Sequence, residues 1–145
     1  MIRKRLIGFL LAALGCAACS KEHVPAEDRT DTHEPQLIAR GMTLDGMTSL
    51  PVRGIQVQLL ARADGEVIQK DIAYTTSEGL FEVSLGNVDA SLEYLLQAQD
   101  VDGLDNGGSF ATTEIVINIS TNSPSYRPDT RSYVLDGNVF YLSRE

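Results

Sequence analysis

The stretch GIQVQLLARADGE, residues 54–66, decides the fold class. Ile55, Val57 and Leu59 alternate with Gln56 and Gln58, and Leu60 then adjoins Ala61. Successive side chains of a strand point to opposite faces, so this spacing predicts a strand with one dry and one wet side. Asp64-Gly65 follows between two apolar runs, the chemistry of a tight hairpin turn.

The same two-residue period recurs along the chain. LFEVSLGN (80–87) directs Phe81, Val83 and Leu85 inward and Glu82 and Ser84 outward. TEIVINIS (113–120) places Ile115, Ile117 and Ile119 on one face. EYLLQAQD (93–100) does so with Tyr94, Leu96 and Ala98, although Leu95 blurs the alternation. GNVFYLSRE (137–145) reads as a closing strand with both faces partly apolar. Asp45-Gly46, Asp64-Gly65, Glu78-Gly79, Asp102-Gly103 and Asp136-Gly137 fall between these runs, where glycine turns the chain at positive φ. No stretch of the body sustains a 3.6-residue period. About seven short strands and no helix to cover a sheet predict an all-β, Ig-like or transthyretin-like antiparallel sandwich over residues 36–145. Each fully buried Ile, Val, Leu or Phe contributes about 1.5–3 kcal/mol before entropy is subtracted. The inward faces therefore suffice for a core.

The front of the chain reads differently. Arg3, Lys4 and Arg5 precede an apolar run from Leu6 to Ala18, shorter than the about 20 residues that span a bilayer. This is the pattern of an export signal over residues 1–18. LLAALGCAACSKE (10–22) resembles a bacterial lipobox, in which the signal is cut before a cysteine that receives lipid. Cys19, with Ala17-Ala18 before it and Ser20-Lys21-Glu22 after it, is the expected lipidation site, with Cys16 as the alternative. An ordinary secretory signal cut near Ala18 without lipid is the remaining reading. Residues 19–35 comprise Cys19 and the run SKEHVPAEDRTDTHEP (20–35), a charged, proline-containing tether that cannot bury enough surface to fold. It reaches at most roughly 50 Å at about 3.3 Å per residue. Both histidines, His23 and His33, fall in it and read as solvated filler.

The chain carries 12 basic and 20 acidic residues, a net charge of −8. Loss of the three basic residues of the signal leaves 9 against 20, or −11. Such a field repels phosphate backbones, so nucleic acid is an unsuitable partner. Beyond Ser20 there is no cysteine, and beyond His33 no histidine. Thiol and Ser-His-Asp catalysis, a zinc site of the usual ligands and an iron–sulfur cluster are all excluded from the body. No GxxxxGK[ST] motif is present. The outward acids Glu82, Glu93 and Glu114 read as a solvated sheet face rather than a glycosidase pair.

Two family resemblances rest on these residues. LPVRGIQVQL (50–59) followed by TTSEGLFEV (75–83) is similar to the carboxypeptidase regulatory-like, or transthyretin-like, β-sandwich domain. Pro51, Gly54, Thr75, Gly79 and Phe81 match its pattern, and Thr76 stands where that family has aspartate. The resemblance implies the fold and an accessory or display role. Over nearly the whole chain, a lipoprotein signal, this sandwich and the segment DVDGLDNGGSF (100–110) resemble the radical-SAM-associated lipoproteins of Gram-negative bacteria. That likeness implies a cell-envelope lipoprotein of the outer membrane, with a radical SAM enzyme or its pathway as partner.

DVDGLDNGGSF is also the candidate site. Asp100, Asp102, Asp105 and Asn106 offer oxygens of the kind calcium takes, six to eight at a time. The EF-hand pattern fails, because the sixth position from Asp100 is Asp105 and the twelfth is Ala111. Three solvated carboxylates about 5 Å apart repel by only roughly 0.8 kcal/mol per pair, so the loop needs no cation. A turn built by its own Asp, Asn and Gly residues, a partner or modification surface, and a calcium loop remain as readings. No other cofactor is expected. The expected function is a non-catalytic, membrane-anchored module linked to, or processed by, the radical SAM partner. The alternative is a ligand-binding or adhesion domain using the loops Asp100–Phe110 and Ser120–Arg131.

Overall fold

The structure, a computed structural model, describes residues 34–121 and 123–145. The expected signal, Cys16, Cys19, His23 and His33 lie outside the described residues. Eight strands follow in order: β1 Gln36–Asp45, β2 Gln56–Ala63, β3 Glu66–Tyr74, β4 Leu80–Leu85, β5 Glu93–Gln99, β6 Thr113–Ile117, β7 Tyr126–Arg127 and β8 Ser132–Leu142. They form two four-stranded sheets, in the orders β4-β1-β8-β7 and β3-β2-β5-β6. The expected sandwich stands. It has an eighth strand, the two-residue β7, inside the segment read as the Ser120–Arg131 loop.

One pairing departs from the antiparallel expectation. β1 and β8 run parallel, side by side in the centre of their sheet, while every other pair is antiparallel. β8 also begins at Ser132, upstream of the closing strand read from Gly137. Asp136-Gly137 therefore lies within β8, where the register jumps from Ala39–Leu135 to Gly41–Asn138 as a bulge. Gly41 is required there: a Cβ would lie 2.0 Å from the Asn138 carbonyl oxygen. The Asn138 side-chain amide closes the bulge by donating to the Arg40 and Leu135 carbonyls at 2.9 and 2.8 Å.

The alternation reads through to the core. Val57, Leu59, Phe81, Val83, Tyr94, Leu96 and Ala98 are buried together, with the Phe81 and Phe140 rings 5.9 Å apart. Leu60 and Leu95 pair with each other on the opposite face of their sheet and are buried there too, which is why Leu95 broke the pattern. The sandwich is stitched along one side, where the Ser84 amide of β4 donates to Asp71 of β3 at 2.8 Å.

β1 sets the two ends. Its first residue, Gln36, donates to the Arg131 carbonyl at 3.1 Å, and its last, Asp45, pairs with Leu142. At about 3.3 Å per residue these ends are roughly 30 Å apart. Gly65, Gly79, Gly103 and Gly137 have positive φ as the turn reading requires, but Gly46 does not. The turn after β1 is instead made by the Asp45 carboxylate, and Ser49 carries the left-handed backbone.

Candidate functional site

Four segments meet at the Asp45 end: residues 45–55, the β3–β4 turn, the 100–110 loop and the chain's last residues. Asp45 is 3% exposed although it closes a surface turn. One carboxylate oxygen accepts from the Met47 amide at 2.8 Å, and the other from the Arg144 guanidinium at 3.1 Å. These bonds, that of Arg144 first and then that of the Met47 amide, hold the carboxyl below its ordinary value. Arg144 also lies over the Phe110 ring, 5.5 Å from its centre. Phe110 is buried and pairs with Arg144 as an isolated bridge. A chain of contacts thus runs from β1 of one sheet, through Arg144, to the loop joining β5 and β6 of the other.

The 100–110 loop is held by its first residue. One Asp100 oxygen accepts from the Asp102 and Gly103 amides at 3.1 and 3.2 Å, and the other from the Phe110 amide at 3.0 Å. Asp102 accepts from the Asn106 side-chain amide. Asp105 opens a single 3-10 turn, Asp105–Gly107, and is exposed. Asn106 sits in left-handed backbone, φ 54° and ψ 31°, and the glycines at 107 and 108 continue at positive φ. Of the four residues singled out in the sequence, Asp100, Asp102 and Asn106 are joined in this turn, and Asp105 stays at its rim. Among the described residues no group of three or more His, Cys, Asp or Glu side chains is placed to hold a metal ion.

Beneath the loop lies a buried polar network. The Val52 carbonyl accepts the Thr43 hydroxyl at 2.6 Å and the Thr75 hydroxyl at 2.8 Å. Thr75 in turn accepts from the Ile55 amide at 3.0 Å. Thr76 performs the turn-capping task of an aspartate, its hydroxyl accepting from the Glu78 and Leu80 amides at 3.3 and 3.2 Å. Hydroxyl side chains cap turns in the same way as carboxylates, more weakly. A Cβ on Gly79 would lie 2.6 Å from the Thr43 carbonyl oxygen. A cavity of about 170 Å³ opens above this floor, with Asp45, Leu50, Phe110 and Arg144 among its walls.

No protein-family model and no curated protein matches the chain. Among solved structures it is similar to the major plantain pollen allergen Pla l 1, at 14% identity and a TM-score of 0.45, over 76% of this chain and 94% of that one. The C-terminal domain of the shaft pilin SpaA from Lactobacillus rhamnosus GG gives 10% identity and a TM-score of 0.40, over 77% and 100%. The 5-hydroxyisourate hydrolase of Klebsiella pneumoniae gives 23% and 0.37, over 58% and 76%.

The Ser120–Arg131 loop lies at the opposite end. The Gln36 amide bonds the Arg131 carbonyl, and the Tyr126 ring packs 4.9 Å from Tyr133. The two loops of the ligand-binding reading are therefore not one site. Asp45 and Arg144 were missed in the sequence, where Asp45 reads as turn punctuation. The signal was its phase: Leu37, Ala39, Thr43 and Asp45 all face inward on β1. Among the described residues Asp89 is the other carboxyl held below its ordinary value, first by the Ser91 amide at 2.8 Å. A general acid at neutral pH needs the opposite shift.

Proposed function

We propose that the chain is an exported lipoprotein, anchored in the outer membrane through Cys19, whose sandwich is a non-catalytic module working with, or processed by, a radical SAM enzyme. The observation that carries the non-catalytic reading is how the acids at the Asp45 end are used. Asp45 and Asp100 spend both carboxylate oxygens on amides and a guanidinium that hold the loops in place. The large apolar side chains those loops leave exposed are led by Leu104 at 85% and Met47 at 80%, with Leu50 and Val101 also exposed. Rigid loops with exposed apolar tips suit contact with another macromolecule better than chemistry on a small one. The reading uses no cofactor and no nucleic acid.

The second reading, a ligand-binding or adhesion domain, is favoured by the same apolar tips and then rests on the Asp100–Phe110 end alone. Mass spectrometry of the mature protein from its native host tests the proposal. The expected result is a chain beginning at residue 19 with acyl groups on that cysteine. A chain cut near Ala18, without lipid and free in the periplasm, refutes the anchored reading. An unmodified body refutes processing by the partner enzyme and leaves only association.

A further inference from the structure

Each sheet has two edge strands, and three of the four carry a recognised defence against pairing with another chain. β3 is bulged against β2, bears Lys70, and is tied across to β4 through Asp71 and Ser84. That tie defends β4 as well. β7 is two residues long and flanked by Pro124 and Pro128. β6 has none of these devices. From Thr113 to Ile119 the sequence TEIVINI contains no Lys, Arg, Pro or Gly, and its pairing with β5 is unbroken. Its one charge, Glu114, is held on its own sheet by the Gln97 side-chain amide at 2.7 Å. Val116 is 59% exposed on the same face, and among the described residues nothing pairs with the outer side of β6.

We propose that β6 is a dimerisation edge, pairing antiparallel with β6 of a second copy about a two-fold axis at Val116. The self-pairing argues for a copy of this chain as occupant. An axis at Val116 sets Val116 against itself, Ile115 against Ile117, Thr113 against Ile119, and Glu114 against Asn118, whose amide can donate to the carboxylate. An axis one residue away, at Ile115, would instead face the Glu114 carboxylate with Val116. In the first register every pair is matched in polarity or tolerates its neighbour, and no like charges meet. The contact is isologous, so it closes as a dimer with one continuous eight-stranded sheet. β6 itself ends at Ile117, so this register lengthens the strand by Asn118 and Ile119 on pairing. Strand pairing over about seven residues is small beside a standard interface of about 1,600 Å², so the dimer is weak and responds to local concentration.

Two differently tagged full-length copies, co-expressed and solubilised in mild detergent, test this by the fraction of one captured with the other. Val116→Lys in both copies places like charges at the axis and is expected to lower co-capture by about tenfold or more, while leaving each copy's melting temperature unchanged. Asn118→Asp should lower it by facing Glu114 with a second carboxylate, and Asn118→Asp combined with Glu114→Lys should restore it. The proposal is overturned if wild-type copies do not co-capture, if they do so equally with Val116→Lys, or if the charge-exchanged pair fails to restore it. Capture of a different protein in place of the second copy overturns it too.

Discussion

Replacing Thr75 by valine keeps the side chain's shape and removes one oxygen atom, and the structure distinguishes its cost from that of the same change at Thr43. Thr75 donates to the Val52 carbonyl at 2.8 Å and accepts from the Ile55 amide at 3.0 Å, with Ile55 almost wholly buried. Thr75→Val loses a hydrogen bond worth about 1 kcal/mol and strands a buried amide, which costs about 1–3 kcal/mol more. Thr43→Val strands nothing. The Val52 carbonyl keeps Thr75, and the Gly79 carbonyl keeps the Thr43 amide at 2.9 Å. Its cost is about 1 kcal/mol. For a domain of this size 1 kcal/mol moves the melting temperature by about 4–8 °C, so Thr75→Val should lower it by roughly 10–30 °C and Thr43→Val by roughly 4–8 °C. The double variant leaves the Val52 carbonyl without either hydroxyl and should lose more than the two single changes together. Thermal unfolding followed by far-UV circular dichroism measures all three. Equal shifts for the two single variants, or strict additivity in the double, would refute the network as the support of this end of the sandwich.

Three further outcomes are expected. The Asp45 carboxyl is held below its ordinary value, so its contribution to stability is fully present above the unfolded value, about 3.9, and is lost as pH falls through the folded one. Urea unfolding between pH about 5 and about 2 should therefore steepen in the wild type and flatten in Asp45→Asn. Millimolar calcium against a chelator should leave the melting temperature unchanged, because the Asp100 oxygens are engaged by amides; a clear rise would show a native-state cation site. Gly41→Ala should prevent folding, since its Cβ would sit 2.0 Å from a backbone oxygen of the neighbouring strand, and soluble protein with a wild-type melting temperature would contradict the β1–β8 register.

What could be read in the sequence was what depends on near neighbours. Ile55–Leu59, Phe81–Leu85 and Tyr94–Ala98 declare strands because one face of each is wet. β8 hides its start because Ser132 and Tyr133 are buried consecutively and Val134 and Leu135 are half-buried after them, so no two-residue alternation marks it. Its parallel pairing with β1 joins residues nearly a hundred positions apart, and no local pattern encodes that. Asp45 and Arg144 are separated in the same way, so their bond was invisible while the turn role of Asp100 was legible.

The two stretches that carried separate resemblances prove to be one piece of structure. A Cβ on Gly54 would approach the Asn106 side-chain nitrogen to 2.7 Å and the Asp102 oxygen to 3.2 Å. Glycine at 54 is thus matched to the Asp102–Asn106 pair packed against it, and positive φ at 54 independently favours the same residue. The Thr75 network holds that backbone from below, while Asp100 and Phe110 hold the loop from within and from the core. Asp102 and Asn106, which read in line as candidate ligands, are in three dimensions packed against Gly54 of the other stretch. The residues left free of that packing, Leu104 and Met47 foremost, are the ones to alter when a partner of this end is sought, since changing them leaves the supports intact.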